Sequence, residues 1–154
     1  MKFFFFLTLL LSLNSCTEYT GGSVEIAWVI RGTDHRVYAC DASILGDKYI
    51  HSIRLKIIGE NEPYKDVDIC ENGLVENCIF RCKASSGGST QRGVTTFSIP
   101  SGVWFVGMVP LDSNGEEIPP HVIQVPQVVK TTIAPGELTF MGVWQLVIDL
   151  NIQK

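Results

Sequence analysis

Apolar residues in this chain recur at every second position over short segments, with polar residues in the gaps. In residues 23–31 (SVEIAWVIR), Val24, Ile26, Trp28 and Ile30 share one face, which predicts a first core strand. In residues 49–58, His51, Ile53, Leu55 and Ile57 point one way while Ser52, Arg54 and Lys56 point the other. That pattern predicts a strand with an apolar inner face and a cationic outer face. Residues 103–109 (VWFVGMV) are apolar on both faces, as expected of a strand central in its sheet. Further strands are predicted at 36–40, at 78–83 around Phe80 and Cys82, at 94–99 with Phe97 and Ile99 on one side, and at 128–133. The chain closes with 138–140 and 143–151 as one strand or a pair, and in the last segment Trp144, Leu146, Ile148 and Leu150 share a face.

Turn chemistry separates these segments. Gly32-Thr33-Asp34-His35, Pro100-Ser101-Gly102, Asp112-Ser113-Asn114-Gly115 and Ala134-Pro135-Gly136-Glu137 all carry residues that favour tight reversals. Residues 41–48 have mixed turn character, and 84–92 (ASSGGSTQR) read as a polar loop. Pro119-Pro120 disfavours a central strand within 116–125. Seven to nine short strands and no long amphipathic helix predict an all-β chain, a single antiparallel β-sandwich. Its three tryptophans, Trp28, Trp104 and Trp144, lie on three different strands and are expected to anchor the core. Residues 95–110 (TTFSIPSGVWFVGMVP) with 111–115, and later 132–139 (TTIAPGELT), resemble segments of transthyretin-like and carboxypeptidase-regulatory-like sandwiches, relatives in shape of immunoglobulin-like domains. The resemblance covers roughly the C-terminal half. It implies a domain that binds, stiffens or connects, and not one that catalyses.

The first sixteen residues do not fit this rhythm. After Lys2, residues 3–13 are apolar except for Thr8 and Ser12. A run of about ten is too short to span a bilayer, which takes roughly twenty, and has the proportions of a signal-peptide core. It ends in Leu13-Asn14-Ser15-Cys16, which resembles the lipobox of bacterial lipoproteins, with Asn14 a mild departure. The resemblance implies cleavage before Cys16, acylation of Cys16 and anchoring of the chain in the lipid bilayer, since more than one acyl chain holds a protein stably. Thr17 follows the cysteine; where the sorting rule of Gram-negative lipoproteins applies, the absence of Asp there points to the outer membrane. The expected organisation is a signal peptide over 1–15, a lipidated tether over 16–22 and a β-sandwich domain over 23–154.

Charge is concentrated in one place. The formal charge of the 154-residue chain is −4, which argues against nucleic acid as a partner. Glu60, Glu62, Asp66, Asp68, Glu71 and Glu76 fall within 60–77, opposed there only by Lys65. This acidic insertion is expected to form either a solvated loop or a contact surface for a basic partner.

Once Cys16 is assigned to lipid, Cys40, Cys70, Cys78 and Cys82 remain. In an exported chain an even set implies two disulfides, and three connectivities are open. Cys70–Cys78 with Cys40–Cys82 is the favoured set, because the first closes the acidic insertion around the Asn72-Gly73 turn. Zinc is the competing use, but the set lacks the short CxxC knuckle of structural sites.

A search for catalytic chemistry finds no GxSxG, HExxH, P-loop or dinucleotide-binding pattern. His35, His51 and His121 lie on different predicted elements. Asp66-x-Asp68 resembles the start of a calcium loop, but Cys70 stands at the third ligand position and Asn77 at the twelfth. Asp112-x-Asn114-Gly115-Glu116-Glu117 is oxygen-rich, and a hairpin turn explains it equally well. The reading is therefore a non-catalytic envelope lipoprotein with no cofactor or metal, bound to the membrane through Cys16 and meeting a protein or glycan partner through the acidic insertion. The alternatives are an inhibitor or immunity protein against a cationic envelope enzyme, and an envelope hydrolase or metal-dependent enzyme.

Overall fold

In the computed structural model, which describes residues 19–40, 49–83 and 90–151, strand β1 (Gly21–Gly32) is buried along nearly its whole length because strands flank it on both sides. One edge pairs with β10 (Leu138–Ile148), from Ser23↔Leu138 to Gly32↔Ile148 with a one-residue shift between Glu25 and Ala27. The other edge is shared in turn by β6 (Ile99–Pro100), β5 (Gln91–Val94) and β2 (Val37–Tyr38). The two-residue β8 (Ile123–Gln124) pairs with the end of β10. A second sheet runs in the order β4 (Ile79–Arg81), β3 (Ser52–Gly59), β7 (Gly102–Leu111), β9 (Val129–Ile133). The protein is thus an all-β sandwich. It departs from a purely antiparallel one in that β1 and β10, the first and last strands, run parallel. β1 has the apolar, doubly covered character that parallel pairing favours.

The core lies between the two sheets. Ile26, Trp28 and Ile30 of β1 and Trp144, Leu146 and Ile148 of β10 meet Ile53, Leu55 and Ile57 of β3 and Trp104, Val106 and Met108 of β7. Burying one such aliphatic side chain contributes about 1.5–3 kcal/mol. The indoles of the two outer tryptophans are satisfied by backbone: Trp104 Nε1–H donates to Pro100 O at 2.9 Å, and Trp144 Nε1–H to Met141 O at 2.8 Å. Cys40, just past β2, is joined to Cys82, just past β4, so this disulfide ties one sheet to the other.

One local expectation changes. The segment 94–99 is not one strand: β5 ends at Val94, and residues 95–98 turn before β6. Thr95 causes the break. Its hydroxyl accepts from Val24 N at 3.0 Å, and its carbonyl accepts from the Ser23 hydroxyl at 2.7 Å, so side chains serve groups that a ladder would otherwise hold. Phe97 consequently leaves the sheet, and its ring packs against Tyr19 at 4.9 Å between centroids. Of the two closing arrangements left open, one strand or a pair, the chain forms a single β10, made continuous by a bulge. Met141 and Gly142 together oppose Ile26 alone, and Gly142 adopts a φ of 82° that a side chain would resist.

Gly93 sets the spacing between β5 and the core. A Cβ there would overlap the Phe80 ring, which itself stacks over Trp28 at 6.4 Å. Gly93→Ala is therefore expected to cost about 1–3 kcal/mol through displacement of Phe80, as overpacking does. Chemical unfolding measures this, and an unchanged midpoint would show that the ring has room to move.

Candidate functional site

Arg54 is the residue around which the acidic insertion organises. The alternation of β3 places it on the outer face of the sheet, where the pattern alone predicts a solvent-facing guanidinium. Instead it is only 8% exposed, because residues 60–77 fold back over that face. Arg54 Nη2 lies 2.6 Å from Glu117 Oε1, while Nη1 lies 3.5 Å from Glu71 Oε2 and 4.0 Å from Asp68 Oδ2. The expected cationic outer face of β3 therefore fails at Arg54, whose charge is enclosed by carboxylates from two loops.

Asp68 pins the insertion to the sheet. Its Oδ1 accepts from Ile57 N and Cys70 N, each at 3.1 Å, and from Glu71 N at 3.4 Å. The first of these bonds satisfies a β3 amide that no strand reaches, so a side-chain carboxylate completes the edge of the sheet. Asn72 returns to the Asp68 carbonyl through both its backbone N, at 3.1 Å, and its side-chain amide, at 3.0 Å. Ile69 and Val75 bury themselves in the core, and the Tyr64 ring packs on Trp104 at 5.5 Å. Cys70 is bridged to Cys78 with their Cα atoms 5.6 Å apart, and Glu60 is paired with Lys130 of β9.

The six acids singled out from the sequence therefore divide into two groups. Glu60, Asp68 and Glu71 are engaged by Lys130 and Arg54, residues that lie far off in β9 or on the opposite face of the alternation. Glu62, Asp66 and Glu76 remain exposed, and none of them has an ion-pair partner among the described residues. Two further acids join from outside the insertion. Glu116 and Glu117, on the loop after β7, border with Glu71 a cavity of about 480 Å³ that has Arg54 at its floor. In the sequence these two stand at the end of the oxygen-rich turn 112–117, which gives no sign that they face Arg54. The result is a rigid carboxylate-rich surface around one enclosed arginine, suited to holding a basic group by charge and hydrogen bonds.

The other sequence candidates are dispersed. His35 sits in the turn after β1 with a φ of 65°, His121 is exposed beside Pro120, and His51 is half-buried beside the Cys40–Cys82 bridge. Among the described residues no group of three His, Cys, Asp or Glu side chains is placed to hold a metal. In the two oxygen-rich loops, Asp68 Oδ1 and Asp112 Oδ1 are occupied by backbone amides, the first as above and the second by Asn114 N at 2.8 Å and Glu116 N at 2.9 Å. Asp34 and Tyr38 share a 2.7 Å hydrogen bond that holds the Asp34 carboxyl below its usual pKa and the Tyr38 phenol above its own. A separate cavity of about 380 Å³, lined by Lys56, Gly107, Val109, Ile118, Pro119 and Val128, lies beside the part of β7 that extends past its pairing with β9. Cys16 lies outside the described residues, as do 41–48 and most of the 84–92 loop. No family model, curated protein or solved structure matches the chain.

Proposed function

We propose that this chain is a lipid-anchored lipoprotein of the bacterial envelope, with its β-sandwich serving as a non-catalytic binding or structural module. The lipobox-like Leu13-Asn14-Ser15-Cys16 supports the anchor. With Cys16 acylated, β1 starts at Gly21, so the domain stands within about 17 Å of the bilayer, at up to roughly 3.4 Å per extended residue. The observation that carries the binding reading is the pinned acidic insertion. Glu62, Asp66 and Glu76 are held outward on a loop that is already ordered by Asp68, Arg54 and the Cys70–Cys78 bridge, so little conformational entropy is lost when a partner docks. The partner this surface suits is a basic protein of the envelope, a cationic enzyme among them.

Two measurements test the parts separately. Cys16→Ala is expected to abolish the mobility shift that globomycin causes and to release the protein from membranes; an unchanged shift removes the anchor. Capture of envelope proteins by the full chain is expected to fall on Glu62→Gln/Asp66→Asn/Glu76→Gln substitution and to weaken as salt rises, since exposed charges are screened. Equal capture by both forms removes the insertion as the contact surface.

A further inference from the structure

The open edge of β10 carries an inference that is independent of the lipid anchor. β10 is 11 residues long and contains no charged side chain. Its near edge is filled by β1, and its far edge meets β8 only at Val147 and Ile148. Among the described residues no strand pairs with the far edge over 138–146. Leu138, Phe140 and Val143 stand about half exposed along that stretch.

The other outer strands are all blunted. β2, β6 and β8 are two residues long, β4 ends in Arg81, β5 carries Arg92 and β9 carries Lys130. Short strands and charges are the usual devices that keep sheet edges from pairing with other chains. Among the described residues β10 is the outer strand with neither a short length nor a charge; its one irregularity is the bulge at Met141–Gly142, and it offers the longest stretch of unpaired edge.

The bulge narrows down what fits there. Between the outward-facing Phe140 and Val143, β10 holds two residues, Met141 and Gly142, where β1 opposes it with only Ile26. A second β10 laid antiparallel has the same irregular spacing. Its Val143 then stands opposite Phe140, its Phe140 opposite Val143, and its Gln145 opposite Leu138, with the two bulges facing each other. Aromatic and β-branched residues are favourable cross-strand pairs, and no like charges meet. We propose that β10 is an interface for a second copy of this chain, pairing antiparallel about a two-fold axis to make one sheet continuous across a dimer.

The test uses the full chain, extracted in detergent, with the protein mass per particle measured by sedimentation. Wild type is expected to hold two chains per particle, and Val143→Lys or Phe140→Glu alone is expected to give one. An equimolar mixture of the two variants is expected to return to two chains, because the heterodimer sets the introduced lysine against the introduced glutamate and leaves its other Phe140–Val143 pair intact. Cys16→Ala is expected to remain a dimer, which separates strand pairing from clustering through acyl chains. Both substituted side chains are about half exposed, so each variant should keep a cooperative thermal melt, lowered only by the stabilisation that dimerisation gives wild type; Gln145→Lys, opposite Leu138, repeats the test should either variant lose its cooperative melt. A single chain per wild-type particle at every concentration overturns the proposal, as does a dimer indifferent to Val143→Lys or a mixture that stays monomeric. Monomers that bind lipid vesicles through Phe140 and Val143 assign the stripe to the membrane and overturn it equally.

Discussion

Asp68→Ala is expected to destabilise the protein by about 3–5 kcal/mol, the sum of two or three backbone donors left without an acceptor at about 1–3 kcal/mol each for the buried ones. Ile57 N and Cys70 N belong to buried residues, and both donate to Asp68 Oδ1 at 3.1 Å. The ion pair is the weaker part of this site. Arg54 Nη1 stands 4.0 Å from Asp68 Oδ2, an oxygen that makes no hydrogen bond among the described residues, and Arg54 keeps Glu71 and Glu117 when Asp68 is lost. Asp68→Asn retains an acceptor at the Oδ1 position and is expected to cost only about 1 kcal/mol, the usual worth of a partly preserved hydrogen bond. Urea unfolding of the two variants decides between the causes. Equal losses would assign the stability to charge, and a neutral Asp68→Ala would show that the insertion is held by its disulfide and apolar contacts alone. Because the insertion is also the proposed contact surface, Asp68→Ala should lose partner capture even though Asp68 itself is buried.

Loss of the Cys40–Cys82 bridge, by Cys40→Ser with Cys82→Ser, is expected to cost about 4 kcal/mol. The bridge spans a sequence separation of 42, and its constraint on the unfolded chain grows with the logarithm of the loop. Cys70–Cys78, with a separation of 8, should contribute about 2.5 kcal/mol by the same relation. Against the 5–15 kcal/mol total of an ordinary domain, the first figure is large enough to leave the double variant marginal at physiological temperature. Equilibrium denaturation of the two double variants measures the order. A reversed order would mean that the native packing of the insertion on β3, and not chain entropy, governs the contribution of its bridge.

The comparison of sequence with structure separates what periodicity can tell from what it cannot. Alternation locates β1, β3 and the end of β10, and the two-sided apolar run of 103–109, which becomes β7, does occupy an interior position between β3 and β9. Alternation names faces, however, and not what covers them. It assigns Arg54 correctly to the outer face, yet nothing in the pattern says that a loop beginning six residues later returns to bury it. The acidic insertion is likewise legible as a composition but not as a charge distribution. The partner of Glu60 is Lys130, and the partner of Arg54 at shortest range is Glu117, each more than sixty positions away. The strand expected at 94–99 fails for a local reason, the hydrogen bonds of Thr95, which a β-propensity reading counts in favour of a strand. The parallel pairing of β1 with β10 leaves no signal, because a buried strand reads the same whichever way its neighbour runs.

That pairing has a consequence for the order of events in the life of the chain. The first of the described strands is completed, along nine residue pairs, by the last of them. Until residue 148 has been synthesised, β1 has only short antiparallel neighbours, and the inner face of its sheet has no Trp144, Leu146 or Ile148. Contacts this distant in sequence slow folding, since the loop must close before any of them contributes. The sheet built on β1 is therefore expected to form late, after the β4-β3-β7-β9 sheet has all of its strands. The topology thereby sets the completion of the β1 sheet at the synthesis of β10.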